Sequence, residues 1–190
     1  MDIINVNLPT NGSFKRRNST DEIILHHAEA SRASVEEVNR WHLERGWTGI
    51  GYHFYIRKDG KVYRGRPEWA VGAHAQGHNS RAIGICVEGS YMTETMPQAQ
   101  LDALKGLIRT MMAKYPGAKL LRHKDVNSTD CPGTKFPWAE VQKYNTETTA
   151  KKEETKMTDK EFAAHEERYQ AEKANQKPHP YAVEAWQAAT

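Results

Sequence analysis

The sequence predicts an α/β domain, a mixed central β-sheet flanked by helices, with a short C-terminal helical or disordered tail. Three observations point there. Short apolar runs of strand length alternate with longer amphipathic stretches, the pattern of helices packed on a sheet. One Asp-Gly turn joins two of the runs directly, which makes that pair antiparallel and the sheet mixed. From Asn145 to Lys156 there is no large apolar residue, which marks the end of the domain. The chain of 190 residues is long enough for one full domain and a short appendage, and with 38% hydrophobic and 27% charged residues it can build an ordinary soluble core.

The first strand is expected over Glu22 to His27, where Ile23, Ile24 and Leu25 run into two histidines. Ser34-Val35-Glu36-Glu37 is a capping box, and Val35, Val38, Trp41 and His42 share one face of the helix that follows, which Gly46 ends. Tyr52 to Arg57 and Val62 to Arg64 read as strands joined by the turn Lys58-Asp59-Gly60-Lys61. Ala82 to Glu88 is nearly all apolar and suits a central strand covered on both faces. Pro97 is placed as the first residue of a long helix to about Lys114, with Leu101, Leu104, Leu107, Ile108 and Met111 as its stripe. Leu120 to His123 is a further extended piece. These elements set three regions: a catalytic domain over 1–144, a solvated linker rich in Thr, Lys and Glu over 145–157, and a helical tail over 158–190 opened by the second capping box Thr158-Asp159-Lys160-Glu161. The tail is read either as a truncated binding module or as a segment without a partner.

Charge and hydropathy narrow the function classes. The formal net charge is +3 and the sequence pI about 8.8, with both signs interspersed. That is no nucleic-acid signature, since no basic block is interleaved with aromatics. No stretch suits membrane insertion, and Met1 to Ser13 lacks an export signal. A monomer made in a cytoplasm is expected. Cys86 and Cys131 are expected as separate thiols, Cys86 acting as a small buried hydrophobe.

The chemistry-bearing set is His26, His123 and Cys131, three ligand types suited to zinc. Each histidine ends an apolar run, and a short loop from Asp125 to Pro132-Gly133 can bring Cys131 to the same ion as His123. Two imidazoles and one thiolate leave a tetrahedral position open, the arrangement of a catalytic rather than a structural site. His26 and His27 point to opposite faces of a strand, so one of them is the ligand, and spacing leaves open which.

Further stretches carry a resemblance. In order along the chain they are Ile24-Leu25-His26-His27, Trp41-His42 with Gly46-Trp47, Gly49-Ile50-Gly51-Tyr52-His53-Phe54, Gly72-Ala73-His74, Asn79-Ser80, Ile83-Gly84-Ile85, Arg122-His123-Lys124-Asp125-Val126 and Thr129-Asp130-Cys131-Pro132-Gly133. As a set the chain resembles the type 2 N-acetylmuramoyl-L-alanine amidases, the family that includes phage lysozyme-type amidases and animal peptidoglycan recognition proteins. The likeness spans about Ile23 to Trp138. It implies a peptidoglycan recognition protein-like fold, a Zn2+ cofactor, and His26 rather than His27 as ligand beside His123 and Cys131. It implies Tyr52 as a catalytic tyrosine. It places Thr129 where some phage members have lysine and many recognition-protein amidases have threonine. It also puts Glu88 where some relatives carry an acidic group near the metal.

The resemblance implies hydrolysis of the bond between N-acetylmuramic acid and L-alanine in bacterial peptidoglycan by a phage-type endolysin that waits in the host cytoplasm and acts on the wall after release. Glu88 is the candidate for moving the proton, and His74, in its glycine-flanked loop, for contacting substrate. The alternative is a non-catalytic peptidoglycan-binding protein on the same fold.

Overall fold

The computed structural model describes residues 2–154 together with Glu167, with side chains as far as Thr146 and at Glu167. The chain divides into two compact units, Met1–Thr146 and Glu147–Thr190. The first is built on a mixed six-stranded sheet in the order β1-β4-β3-β5-β2-β6. Its strands are β1 (Ile3–Ile4), β2 (Glu22–His27), β3 (Phe54–Ile56), β4 (Val62–Arg64), β5 (Ala82–Val87) and β6 (Lys119–Arg122). The helices are α1 (Val35–Glu44), α2 (Gln98–Lys114) and α3 (Trp138–Glu154), with a 3₁₀ turn at His123–Asp125.

β5 is the central strand the apolar run predicts, parallel to β2 on one side and β3 on the other. β3 and β4 form the antiparallel hairpin, and Gly60 takes the positive φ of 84° that the turn needs. Because β2 is covered on both faces, all six of its residues are buried. Alternation then sorts them. Ile23 and Leu25 join Ile83, Ile85, Val87, Phe54 and Ile56 under Leu101, Leu104, Leu107, Ile108 and Met111 of α2. On the opposite face Tyr55 and Cys86 pack under Val35 and Val38 of α1, with Ala33 and Ile50.

The helix boundaries follow local chemistry. The Ser34 hydroxyl accepts from Glu37 N at 3.2 Å and the Glu37 carboxylate accepts from Ser34 N at 2.8 Å, the reciprocal cap that the sequence predicts. Pro97 stands one position earlier than predicted, as the extended N-cap of α2. From Asn145 the backbone differs from the predicted linker, since α3 runs on to Glu154. Lys and Glu are good helix formers even without an apolar stripe, so a segment with nothing to bury can still continue a helix begun upstream. The tail expected over 158–190 lies, apart from Glu167, outside the described residues. Among the described residues no helix is long and apolar enough to cross a membrane.

The α2 face should dominate stability. Leu104→Ala, at a fully buried position, is expected to lower the unfolding free energy by about 2–5 kcal/mol. Arg109→Ala on the exposed side of the same helix should change it by less than about 0.5 kcal/mol. Urea denaturation of the two variants checks the contrast.

Candidate metal centre and groove

The C-terminal ends of β2 and β6 bring the first two candidate ligands together. The strands are parallel, with Leu25 opposite Arg122, so His26 and His123 are the next residues out on neighbouring strands. Their ring centroids are 4.4 Å apart. Beyond β6 the chain turns: Val126 N and Asn127 N both donate to the His123 carbonyl, at 3.1 and 3.0 Å. It then returns so that Lys124 N donates to the Cys131 carbonyl at 2.9 Å. That bond closes the loop and sets Cys131 beside the histidines, its Sγ 3.8 Å from His26 Nδ1.

One donor atom from each of His26, His123 and Cys131 lies within 4.8 Å of the others. Tetrahedral Zn–S and Zn–N bonds of about 2.3 and 2.0–2.1 Å would put sulfur and nitrogen roughly 3.5 Å apart, so the group is close to the size such an ion requires. Its protonation chemistry also fits a cation. Burial, reinforced by His74, His123 and His27, holds the His26 pKa well below the usual imidazole value, and burial lowers that of His123. Both rings are therefore neutral, the form that ligates. Burial pushes the Cys131 thiol up to about 12, against the opposing main-chain N–H of His27. Only a positive charge at the centre would make it the thiolate that binds metal.

His27 goes the other way. Its Nδ1 accepts from Tyr91 N at 3.0 Å on the α2 side. The geometry thus separates the two adjacent histidines as alternation requires, His26 to the group and His27 to packing.

Tyr52 is part-buried, its ring 5.2 Å from that of His26. Burial, with Cys86 and Cys131 nearby, holds its pKa well above 10, so it stays a phenol, and it packs against the cluster that contains Cys86. The buried Cys86 thus underlies the tyrosine. Thr129 is exposed, and its Oγ1 accepts from Cys131 N at 3.2 Å. Two depressions meet at His123 and Thr129. One is walled by Trp41, His42 and Arg45 of the α1 region, the other by Trp47, Gln76, Asn79 and Asn127.

Two of the residues expected in the site lie differently. Glu88 does not face the group. One carboxylate oxygen accepts from Ala33 N at 2.9 Å, the other from Arg57 Nε at 2.9 Å and Lys58 N at 2.8 Å. Burial raises its pKa, but these donors outweigh burial and the net shift is downward. A committed carboxylate of this kind is an anchor between β3 and the segment before α1, ill-suited to carrying protons. The His74 ring is buried behind His26, with Nδ1 3.0 Å from His26 Nε2 and Nε2 out of contact with solvent. Its edge lines the second depression, but neither nitrogen is offered there.

Sequence reasoning missed the part α1 plays. Asn39 Oδ1 accepts from Ile50 N at 2.7 Å and His42 Nδ1 from Gly51 N at 3.0 Å. Together they fix the segment that delivers Tyr52. His42 is buried, and its pKa falls to about 4 through burial and the nearby Arg45 and Arg66, which keeps it a neutral acceptor. The available signal was two polar residues on the inward face of an amphipathic helix.

Residues 16–134 match the family model described as N-acetylmuramoyl-L-alanine amidase. The chain belongs to this family. It is similar to the endolysin of Escherichia phage T7, 42% identical over 128 residues that make up 63% of this chain and 84% of that protein. It also resembles peptidoglycan-recognition protein SC2 of Drosophila melanogaster, 36% identical over 134 residues, 64% of this chain and 72% of the relative. Among solved structures, N-acetylmuramoyl-L-alanine amidase LysC from Clostridium intestinale URNW superposes with a TM-score of 0.75 at 42% identity, covering 77% of this chain and 98% of that one.

The Glu88 anchor gives a stability prediction with a definite sign. Its folded pKa is depressed, so its contribution is present above the unfolded value of about 4.3 and is lost as pH falls through the folded pKa. Glu88→Gln should cost about 1–3 kcal/mol near pH 7. The gap from the parent should shrink below about pH 4. Denaturant midpoints across pH 3–7 measure it.

Proposed function

We infer that the chain hydrolyses the amide bond between N-acetylmuramic acid and L-alanine in bacterial peptidoglycan, with a zinc ion held by His26, His123 and Cys131. The observation that carries the reading is the convergence of those three donors within 4.8 Å where two depressions meet. An endolysin and an N-acetylmuramoyl-L-alanine amidase stand among the similar proteins. Its place of action as an endolysin is the wall, reached from the host cytoplasm. The bound ion would supply Lewis acidity, bringing the pKa of a water down to about 7 and polarising the scissile carbonyl.

The chain's own residues supply the rest. The groove extends to both sides of His123 and Thr129, so a polymer can lie across it with sugar on one side and peptide on the other. Tyr52, kept protonated by burial, can turn its O–H toward the carbonyl oxygen as negative charge develops there. Thr129 spends an oxygen lone pair on Cys131 N and keeps its own O–H for the substrate at the groove surface. The C–N bond breaks, the oxygen of water joins the carbonyl carbon, and the proton from water ends on the departing L-alanine amine. Thr129 is our candidate to pass that proton, and Glu88 is assigned to the scaffold.

Metal analysis and wall turbidity test the reading. The purified protein should carry one zinc, clear a suspension of wall, stop on chelation and recover on zinc addition. Metal-loaded protein that pellets with wall yet leaves it turbid would be a binder on this fold instead. Cys131→Ser should lose its zinc on dialysis and at least about 10²-fold in turnover. Tyr52→Phe should keep the metal and lose on the order of 10²–10³-fold in kcat. Full activity in either variant would overturn the role given to that residue.

A further inference from the structure

We propose that His74 is a positioning residue for the ligand His26, accepting the His26 Nε2–H through Nδ1 and so reserving His26 Nδ1 for the metal. The proposal rests on the metal reading above. Its basis is the direction of the two nitrogens. His26 Nδ1 looks at Cys131 Sγ, 3.8 Å away, and His26 Nε2 looks at His74 Nδ1, 3.0 Å away. An ion shared with Cys131 must therefore use Nδ1. A neutral imidazole then carries its proton on Nε2, and that proton points at His74. His74 Nδ1 has to be the acceptor, which sends the His74 proton to its own Nε2.

The structure holds the His74 ring in place for this. Gly72 and Gly84 clear its space: a Cβ at Gly84 would stand 2.6 Å from His74 Cγ and Cδ2, and one at Gly72 would stand 2.5 Å from Cδ2. The loop is pinned by Asn79, whose Oδ1 accepts from His74 N at 2.8 Å and from Ala75 N at 3.0 Å. Meanwhile His74 Nε2 is buried and makes no well-formed hydrogen bond among the described residues, with the Ala82 carbonyl only a weak partner. A polar ring kept in such a place costs stability on its own account. Its one well-formed side-chain bond is to the ligand. An outer partner of this kind orients a metal-binding imidazole and strengthens it as a donor, commonly by 10–100-fold in affinity.

The test is a metal titration of the metal-free full chain with cobalt(II) and with zinc against a chromophoric chelator, alongside thermal unfolding of the metal-free forms. His74→Leu removes the acceptor and should bind metal about 10–100-fold more weakly with an altered cobalt spectrum. The Tm of its metal-free form should shift little, since loss of a buried polar ring and loss of the acceptor for the buried His26 Nε2–H act in opposite directions. His74→Asn, whose Oδ1 stands in for Nδ1, should restore affinity to within a few-fold of the parent. His74→Gln places its amide near Nε2 instead and should stay weak, which keeps the test intact if the leucine variant does not fold. Parent-like affinity in the leucine or glutamine variant, or an asparagine variant no better than either, overturns the positioning role and leaves the amidase reading standing. A parent protein that binds neither ion overturns both.

Discussion

Parallel pairing of β2 with β5 on one side and β6 on the other is the constraint from which the site follows. Adjacent strands lie about 4.8 Å apart. Two residues that leave neighbouring parallel strands at matched register therefore emerge within one ion's reach, with no loop closure needed. His26 and His123 are such a pair, one position beyond Leu25 opposite Arg122. The same pairing buries β2 on both faces and forces its last two residues apart, so that the strand supplies a donor on one side and an anchor for Tyr91 on the other.

Electrostatics then complete what register begins. Burial removes the charge from His26 and His123 and, without a cation, would also keep the thiol protonated. The neighbourhood is therefore hostile to isolated charge and receptive to a dication that neutralises a thiolate. Tyr52 stands in the same medium, and a phenol that cannot ionise remains a donor. The carboxylate of Glu88 escapes this pressure only because two main-chain N–H groups and Arg57 surround it.

Much of the fold was legible in the sequence because its signals are local. The apolar run of β5, the reciprocal cap at Ser34 and Glu37, the Asp-Gly turn and the stripe of α2 each depend on residues a few positions apart. The donors were legible as types, and alternation predicted that His26 and His27 would part company without saying which way. What could not be read is what long-range contacts decide. His26 meets His74 across 48 residues, and Glu88 meets Arg57 across 31, neither with a local signature. Hence the sequence offers His74 as a substrate contact and Glu88 as a proton carrier. The helix through Glu154 was missed for a different reason: a segment without an apolar stripe was read as linker although its Lys and Glu favour helix.

The two depressions share His123 and Thr129 but little else. Trp41 and Arg45 on one flank belong to the α1 region, while Gln76, Asn79 and Asn127 on the other come from loops on the far side of the donors. Trp47 joins the two, walling the second depression while its ring stacks on His42 of the first at 4.6 Å. A change at Trp47, or at Asn79, which pins the His74 loop, is therefore felt beyond its own half, and stepwise adaptation to different walls is left to outer positions such as Trp41 and Gln76.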